Sequence, residues 1–252
     1  MEFSFEVPLK QAEALDVEQD YLFVLAQCLE DVDYLRYVKN SPKKKILDNG
    51  ANEQDAVVGR KLLGYAEIID ADIVIIPDKQ FDEAQSLKYL FEFYSKYLVG
   101  NEYNYTFMVV PQSNTFEGMT RYLDMLSLLI SRIEALSNNI TTIGLQFKFL
   151  RKFGMDFVNQ TIPKIRPKNL DLHFLGFAKE DQLGYKQVKT MDTSLPINFA
   201  AENNELRFDR FPKGIDVWKD VVNEELAIEN MRLFKRHSKI VEEWMKLYKY
   251  DS

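Results

Sequence analysis

The chain has 252 residues, of which 46% are hydrophobic and 28% charged, and its net charge is −7. That size suits one large domain or two small ones, and is about what a single α/β barrel needs. The acidic balance argues against a wholly basic nucleic-acid coat but leaves room for a local basic face, and a single cysteine, Cys28, excludes a disulfide framework and a cysteine-built zinc site.

The opening MEFSFEVPLK lacks the basic start and apolar core of a signal peptide. No apolar run reaches the roughly 18 residues of a membrane span. The expectation is a cytoplasmic protein with no membrane partner.

Strand-like and helix-like segments then alternate. Tyr21–Leu29 is a near-continuous apolar run, as in a buried parallel strand. Asp31–Lys39 reads as a short helix. Lys44–Gly50 is a second strand, running into Asp48 and the small tripeptide Asn49-Gly50-Ala51, with Glu53 beyond. Asp55–Ile69 is a helix, with Val57, Leu62, Leu63 and Ala66 at helical spacing. Asp72–Asp78 is a third strand, apolar until its last residue. Asp82–Leu98 is helical, Tyr105–Gln112 a fourth strand, and Phe116–Leu136 a strongly amphipathic helix. Thr142–Lys148 is a fifth strand, Phe153–Ile165 a weaker helix, Leu170–Phe177 a sixth strand and Val188–Ser194 a seventh. A long amphipathic helix covers about 217–247.

This alternation predicts a parallel sheet with right-handed crossovers. Seven strands in this length favour a closed (β/α)8 TIM-type barrel, one domain over 1–252 with the C-terminal helix packed on it. Phe3–Val7 and Glu205–Phe211 compete to be the eighth strand.

In such a barrel the active-site groups lie at the C-terminal ends of the strands. Those ends carry Asp48, Asp78, Gln112, Gln146 or Lys148, Gly176 and Asp192. Three carboxylates on one rim are unusual for a purely structural set. Some have plainer alternatives: Asp48, Asn49 or Asp78 as helix caps, Gln112 as loop filler. His173 reads as a core or hydrogen-bonded histidine, and His237 as a solvent-exposed one. No dinucleotide-binding or Walker-type glycine motif is present, so no nucleotide cofactor is expected.

With these segments in order, the chain resembles the tRNA-guanine transglycosylase superfamily. It is most similar to the relatives that insert 7-deazaguanines into DNA in phages and bacteria. LDNGANE resembles the family's Asp-Ser-Gly-Gly-Phe-Gln segment, with Asp48 first. DIVIIPD resembles the strand ending in the base-reading Asp, here Asp78. VVPQSNTFEGM resembles the Val-Gln-Gly-Gly strand, with Gln112 at the Gln. TIGLQFK resembles the Ile-Gly-Gly-Leu strand, with Gly144 and Leu145. LHFLGFA resembles the Tyr-Leu-Met-Gly-Val-Gly strand, with Leu175 and Gly176. MDTSLPINFA resembles the segment carrying the nucleophile, with Asp192 in its place and Pro196 following. Two departures stand out. The cysteine-rich zinc site of the tRNA enzymes is missing, and Ala51 and Asn52 replace the second Gly and the Phe of the first motif. Both favour DNA over tRNA as substrate.

The resemblance implies a base exchange. Breaking the bond from C1′ to N9 passes through an oxocarbenium-like state, which a carboxylate stabilises and then traps covalently. It places Asp192 as nucleophile and Asp48 as general acid/base for the departing and arriving base. Asp78 would accept the parallel N1–H and N2–H2 donors of guanine, and Gln112 with the Gly144–Leu145 backbone would reach the O6 side. Asn49, Gly50, Gln146, Leu175 and Gly176 would complete the base site. The implied partners are DNA in preference to tRNA and a 7-deazaguanine such as preQ0 or a derivative, with no cofactor and no metal. The implied place is the cytoplasm of a bacterial cell or phage-infected host, and a homodimer or partner protein is compatible with it.

A nucleic-acid substrate needs cations near the mouth. Lys148, Arg151, Lys152, Lys164, Arg166 and Lys168 stand against Asp156 alone between 148 and 168, and the first three follow the fifth strand. Arg232, Lys235, Arg236 and Lys239 form a second cluster on the last helix. In duplex DNA the target guanine would have to leave the stack. Alternatives are a tRNA or nucleoside enzyme, a catalytically silent barrel that binds nucleic acid or a partner, and an unrelated lyase or hydrolase whose rim carboxylates hold a metal.

Overall fold

A computed structural model describes residues 1–50, 57–160, 162, 170–185 and 187–248. Ala51, Asn52, Glu53 and Asp55 lie outside the described residues, as do Lys164, Arg166 and Lys168.

Eight parallel strands form one sheet: β1 Glu2–Phe5, β2 Leu22–Leu25, β3 Lys45–Asp48, β4 Ile73–Ile75, β5 Thr106–Val109, β6 Ile140–Gln146, β7 Asp171–Leu175 and β8 Val188–Thr193. The order is β1-β8-β7-β6-β5-β4-β3-β2. The helices between them are α1 Val32–Asn40, α2 Gly59–Ile69, α3 Glu83–Phe93, α4 Phe116–Arg132, α5 Glu134–Asn139, α6 Phe147–Phe153 and α7 Met155–Gln160; α8 Leu195–Ala201 and α9 Glu224–Tyr248 follow the last strand. This is the nearly closed (β/α)8 barrel that the alternation of segments predicts.

Strand alternation sorts the apolar residues into two layers. Tyr21, Ile46, Ile73, Ile75, Met108 and Val110 pack with Phe23 and Leu175 as one buried cluster inside the barrel. The opposite faces, such as Leu47, Val74, Phe107, Ile143 and Phe174, join the larger core beneath the helices. Gly144 belongs to the inner layer, where a Cβ would press on Met108, Val110 and Leu175 at about 3 Å. Side-chain caps start several helices: Asp31 accepts from the N–H groups of Asp33 and Tyr34, Asp82 from Gln85 and Thr115 from Gly118.

β1 settles the choice of the eighth strand. It pairs with β8 from Glu2↔Thr190 to Phe5↔Thr193. The alternative, Glu205–Phe211, has no strand structure. Between β1 and β2 the described residues form no ladder, and side chains close the seam instead. Ser4 Oγ accepts the Phe23 N–H at 2.9 Å. The buried Gln19 amide takes the Phe5 N–H at 2.6 Å and donates to the Phe5 carbonyl at 2.7 Å, standing in for a neighbouring peptide.

Other boundaries shift. The Tyr21–Leu29 run yields only four strand residues before Ala26–Glu30 coils into a 3-10 helix. Phe147 and Lys148 begin α6 rather than extending β6. The Phe116–Leu136 helix breaks at Ile133, whose extended backbone separates α4 from α5. The C-terminal helix starts at Glu224, not 217. It packs through Phe234, whose ring meets Phe3, Phe5, Phe177 and Phe208 edge-on or tilted. Burying such a ring contributes roughly 1.5–3 kcal/mol. Among the described residues no helix is long and apolar enough to cross a membrane.

Candidate active site at the barrel mouth

β3 and β8 each deliver a carboxylate to the inner face just where apolar strand residues run out, and β7 delivers His173 from mid-strand. Asp48 follows Ile46 on the inner face of β3 and is almost fully buried. Asp192 follows Thr190 on β8, 3% exposed. The ladders align Gln146, Leu175, Asp192 and Ser4 in one row across β6, β7, β8 and β1.

His173 ties two of these strands together. It is fully buried. Its Nε2 lies 2.9 Å from Asp192 Oδ1 and its Nδ1 2.8 Å from Thr190 Oγ1. Its ring stacks on Phe23, 5.7 Å away and nearly parallel, and meets Tyr21 edge-on. Burial, helped by the charge of Lys44, lowers its pKa to about 3. The neutral ring therefore donates Nε2–H to the carboxylate and accepts the Thr190 hydroxyl at Nδ1. The sequence reading of a hydrogen-bonded core histidine fits this placement, but the reading did not link His173 to Asp192. The signal was the H-F-L stretch opposite T-M-D, which has meaning only once the two strands are in register.

A second network surrounds Asp78, just past β4. Its carboxylate accepts from the Gln112 amide, and Asn49 also bonds it. Gln112 Oε1 takes the Phe81 N–H at 3.0 Å. Burial pushes the Asp78 pKa up to about 6, against the amide donors that hold it down. Phe81 sits at φ +59, left-handed for a bulky residue. The capping alternatives do not apply: α2 begins after Val58 and α3 is capped by Asp82.

Several buried acceptors at this end of the barrel have no hydrogen-bond partner among the described residues: Asn49 Oδ1, Gln146 Oε1 and Gln27 Oε1. Asn49 and Gln146 are fully or almost fully buried. The Asn49 Nδ2 already faces the carbonyls of Ile75 and Ile76, at 3.5 and 3.4 Å. Gly50 turns the chain at φ +72, and a Cβ there would collide with Gln27 Oε1. An unpartnered buried acceptor costs roughly 1–3 kcal/mol, so a ligand rich in N–H donors would be stabilising here.

The remaining predicted residues flank this floor. Leu145 points outward into the helix-side core. The β5–β6 ladder ends at Val109↔Ile143, so the Gly144–Gln146 backbone pairs only with β7 among the described residues. Leu175 lies between Gln146 and Asp192 in the row. Gly176 turns the chain at φ +82, its carbonyl taking the Gln182 amide. Lys148, Arg151 and Lys152 are exposed on α6, immediately after Gln146. The Arg151 guanidinium lies 4.4 Å over the ring of the exposed Phe211, and Lys152 donates to the Asn114 carbonyl. None of the three has an ion-pair partner among the described residues.

The second basic cluster is different. Arg232 pairs with Glu18, and Lys235 with Asp20. His237 is not the solvent-exposed residue expected of a basic face. It is half-buried, stacked on Phe208 and paired with Glu180 at 2.6 Å.

Among the described residues no three His, Cys, Asp or Glu side chains group as a metal site. Comparison with protein-family models and with curated protein sequences finds no significant match to this chain.

Proposed function

We propose that the barrel mouth exchanges guanine in DNA for a 7-deazaguanine base through a covalent glycosyl-aspartate. One observation carries this reading: the amide oxygens of Asn49, Gln146 and Gln27 at the mouth have no donor among the described residues. They stand beside the carboxylates of Asp48, Asp78 and Asp192, which are hydrogen-bonded or paired within the protein. Guanine and its 7-deaza analogues present N1–H and N2–H2 side by side, and the free base adds N9–H. Adenine has no N1–H, so it would leave buried acceptors unpaired.

The chemistry follows from the carboxylates. Asp192 attacks C1′ as the C1′–N9 bond breaks, and its oxygen bonds to C1′. Protonated Asp48 gives its proton to the departing base, which leaves neutral. The incoming base gives its N9 proton to the Asp48 carboxylate, its N9 attacks C1′, and the Asp192 carboxylate is released. Asp78, oriented by Gln112 and Asn49, accepts the guanine edge in its ionised form. Lys148, Arg151 and Lys152 would hold the phosphates beside the extruded nucleotide. DNA is favoured over tRNA because a chain with only Cys28, which is buried, has no cysteine zinc subdomain to grip tRNA.

The test is uptake of labelled guanine or preQ0 into duplex DNA, single-stranded DNA and tRNA in parallel. Uptake into DNA, lost in Asp192→Ala, with an adduct that survives denaturation, supports the reading. Label uptake into none of the three, or unchanged uptake by Asp192→Ala, would overturn it.

A further inference from the structure

The geometry points to His173 as a positioning residue for Asp192, an assignment that rests on the base-exchange reading above. A carboxylate that must meet C1′ at bonding distance cannot swing between rotamers. Asp192 is held by a ring that is itself packed and hydrogen-bonded. Phe23 stacks on one face of that ring within 5° of parallel, Tyr21 meets it edge-on, and Thr190 Oγ1 binds the far nitrogen at 2.8 Å. Thr190 and Asp192 lie two residues apart on one strand, so the imidazole spans the pair like a rung. The Thr190 hydroxyl selects the tautomer, because Nδ1 that accepts leaves Nε2–H to donate. The donor then favours the charged carboxylate, the form that attacks, without giving up a proton of its own.

This arrangement separates a positioning role from mere packing by the rank order of two variants. Phe keeps the aromatic volume and the stack on Phe23 but has no donor. Gln places an amide N–H close to where Nε2–H stands but loses the stack. If His173 only fills space, His173→Phe should match or exceed His173→Gln. If it positions Asp192, Gln should outperform Phe. A misplacement of about 1 Å at a reacting group costs on the order of 10²-fold in rate.

The experiment is single-turnover formation of the DNA adduct by the full-length protein and its variants, together with KM for the base. The expected result is a loss of about 10²-fold in rate for His173→Phe with KM within about twofold. His173→Gln should recover at least part of that loss. Wild-type rates in His173→Phe, or a Gln variant no better than Phe, overturn the assignment. Should both fail to fold, Thr190→Val, a near-isostere that removes only the tautomer-selecting hydroxyl, must still slow the step, and an unchanged rate overturns the assignment. If the wild type forms no adduct with any nucleic acid, the exchange reading fails instead. The imidazole 15N spectrum then decides the pairing: an Nε2–H signal unmoved by Asp192→Asn overturns it, and a shifted one upholds it.

Discussion

Gln112 links Asp78 to the backbone of Phe81: its amide donates to the carboxylate, while its oxygen takes the Phe81 N–H at 3.0 Å. One side chain thus orients the proposed base reader and holds Phe81 in its left-handed conformation. Gln112→Ala should remove both supports. The expected cost is about 1–3 kcal/mol in urea unfolding, the range for stranding a buried partner. Free guanine should bind more weakly, as calorimetry would show. An unchanged midpoint would mean that neither bond matters to the fold.

Asp78 and His173 pull acid stability in opposite directions. The Asp78 pKa is raised from 3.8 to about 6 in the folded protein. Between those values the folded state holds a proton that the unfolded state lacks, so falling pH favours folding. His173 is lowered from 6.5 to about 3. Between those values the unfolded chain holds the extra proton, so falling pH disfavours folding, by about 1.4 kcal/mol per pH unit. From pH 6 to about 4 the two contributions offset each other. Asp78→Asn should expose the histidine term: relative to wild type, the variant loses stability steadily as pH falls through that window. Parallel stability curves for the two proteins would contradict this.

The same titration governs recognition. Asp78 accepts guanine's two N–H donors only as a carboxylate. Base affinity should therefore be level above pH 7 and fall below about 6, approaching tenfold per pH unit once most Asp78 is protonated. Equilibrium binding of preQ0 from pH 5 to 8 measures it. Asp78→Asn should flatten the profile at a weaker level.

On α6, Lys148, Arg151 and Lys152 should each act on phosphate rather than on the base. Replacing any one by Ala is expected to lower DNA affinity and to make the slope of log K against log salt shallower by roughly 0.9, the value for one phosphate contact. Fluorescence anisotropy across a salt series reads both. Binding of the free base should stay as in wild type.

Two glycines give a matched pair. Gly50 sits at φ +72 with Gln27 Oε1 where a Cβ would be, whereas Gly64, inside α2, has open space there. Gly50→Ala should destabilise by at least about 1 kcal/mol, and Gly64→Ala should stabilise by about 0.4–1 kcal/mol. Thermal or urea unfolding distinguishes them.

The sequence by itself determined the alternation of strands and helices and the polar residue that ends each apolar run. Burial is local information: a buried parallel strand must be apolar along its length, so Asp48, Gln146 and Asp192 mark where β3, β6 and β8 reach the mouth. Asp78 and Gln112 are marked in the same way, a few residues beyond their strands. What the sequence left open depended on neighbours far along the chain. The eighth strand could not be chosen between 3–7 and 205–211, because β1 earns its place only by pairing with β8, 188 residues away at Glu2↔Thr190. The seam beside it is closed by the side chains of Ser4, on β1, and Gln19, which precedes β2 and follows no strand pattern. The tie between His173 and Asp192 was decided by tertiary structure alone. Leu172 pairs with Val188, but a β-bulge moves the next pair to His173↔Thr190. That one extra residue on β8 brings Thr190 and Asp192 to the two nitrogens of a histidine that, read along the chain, was one polar residue inside an apolar strand.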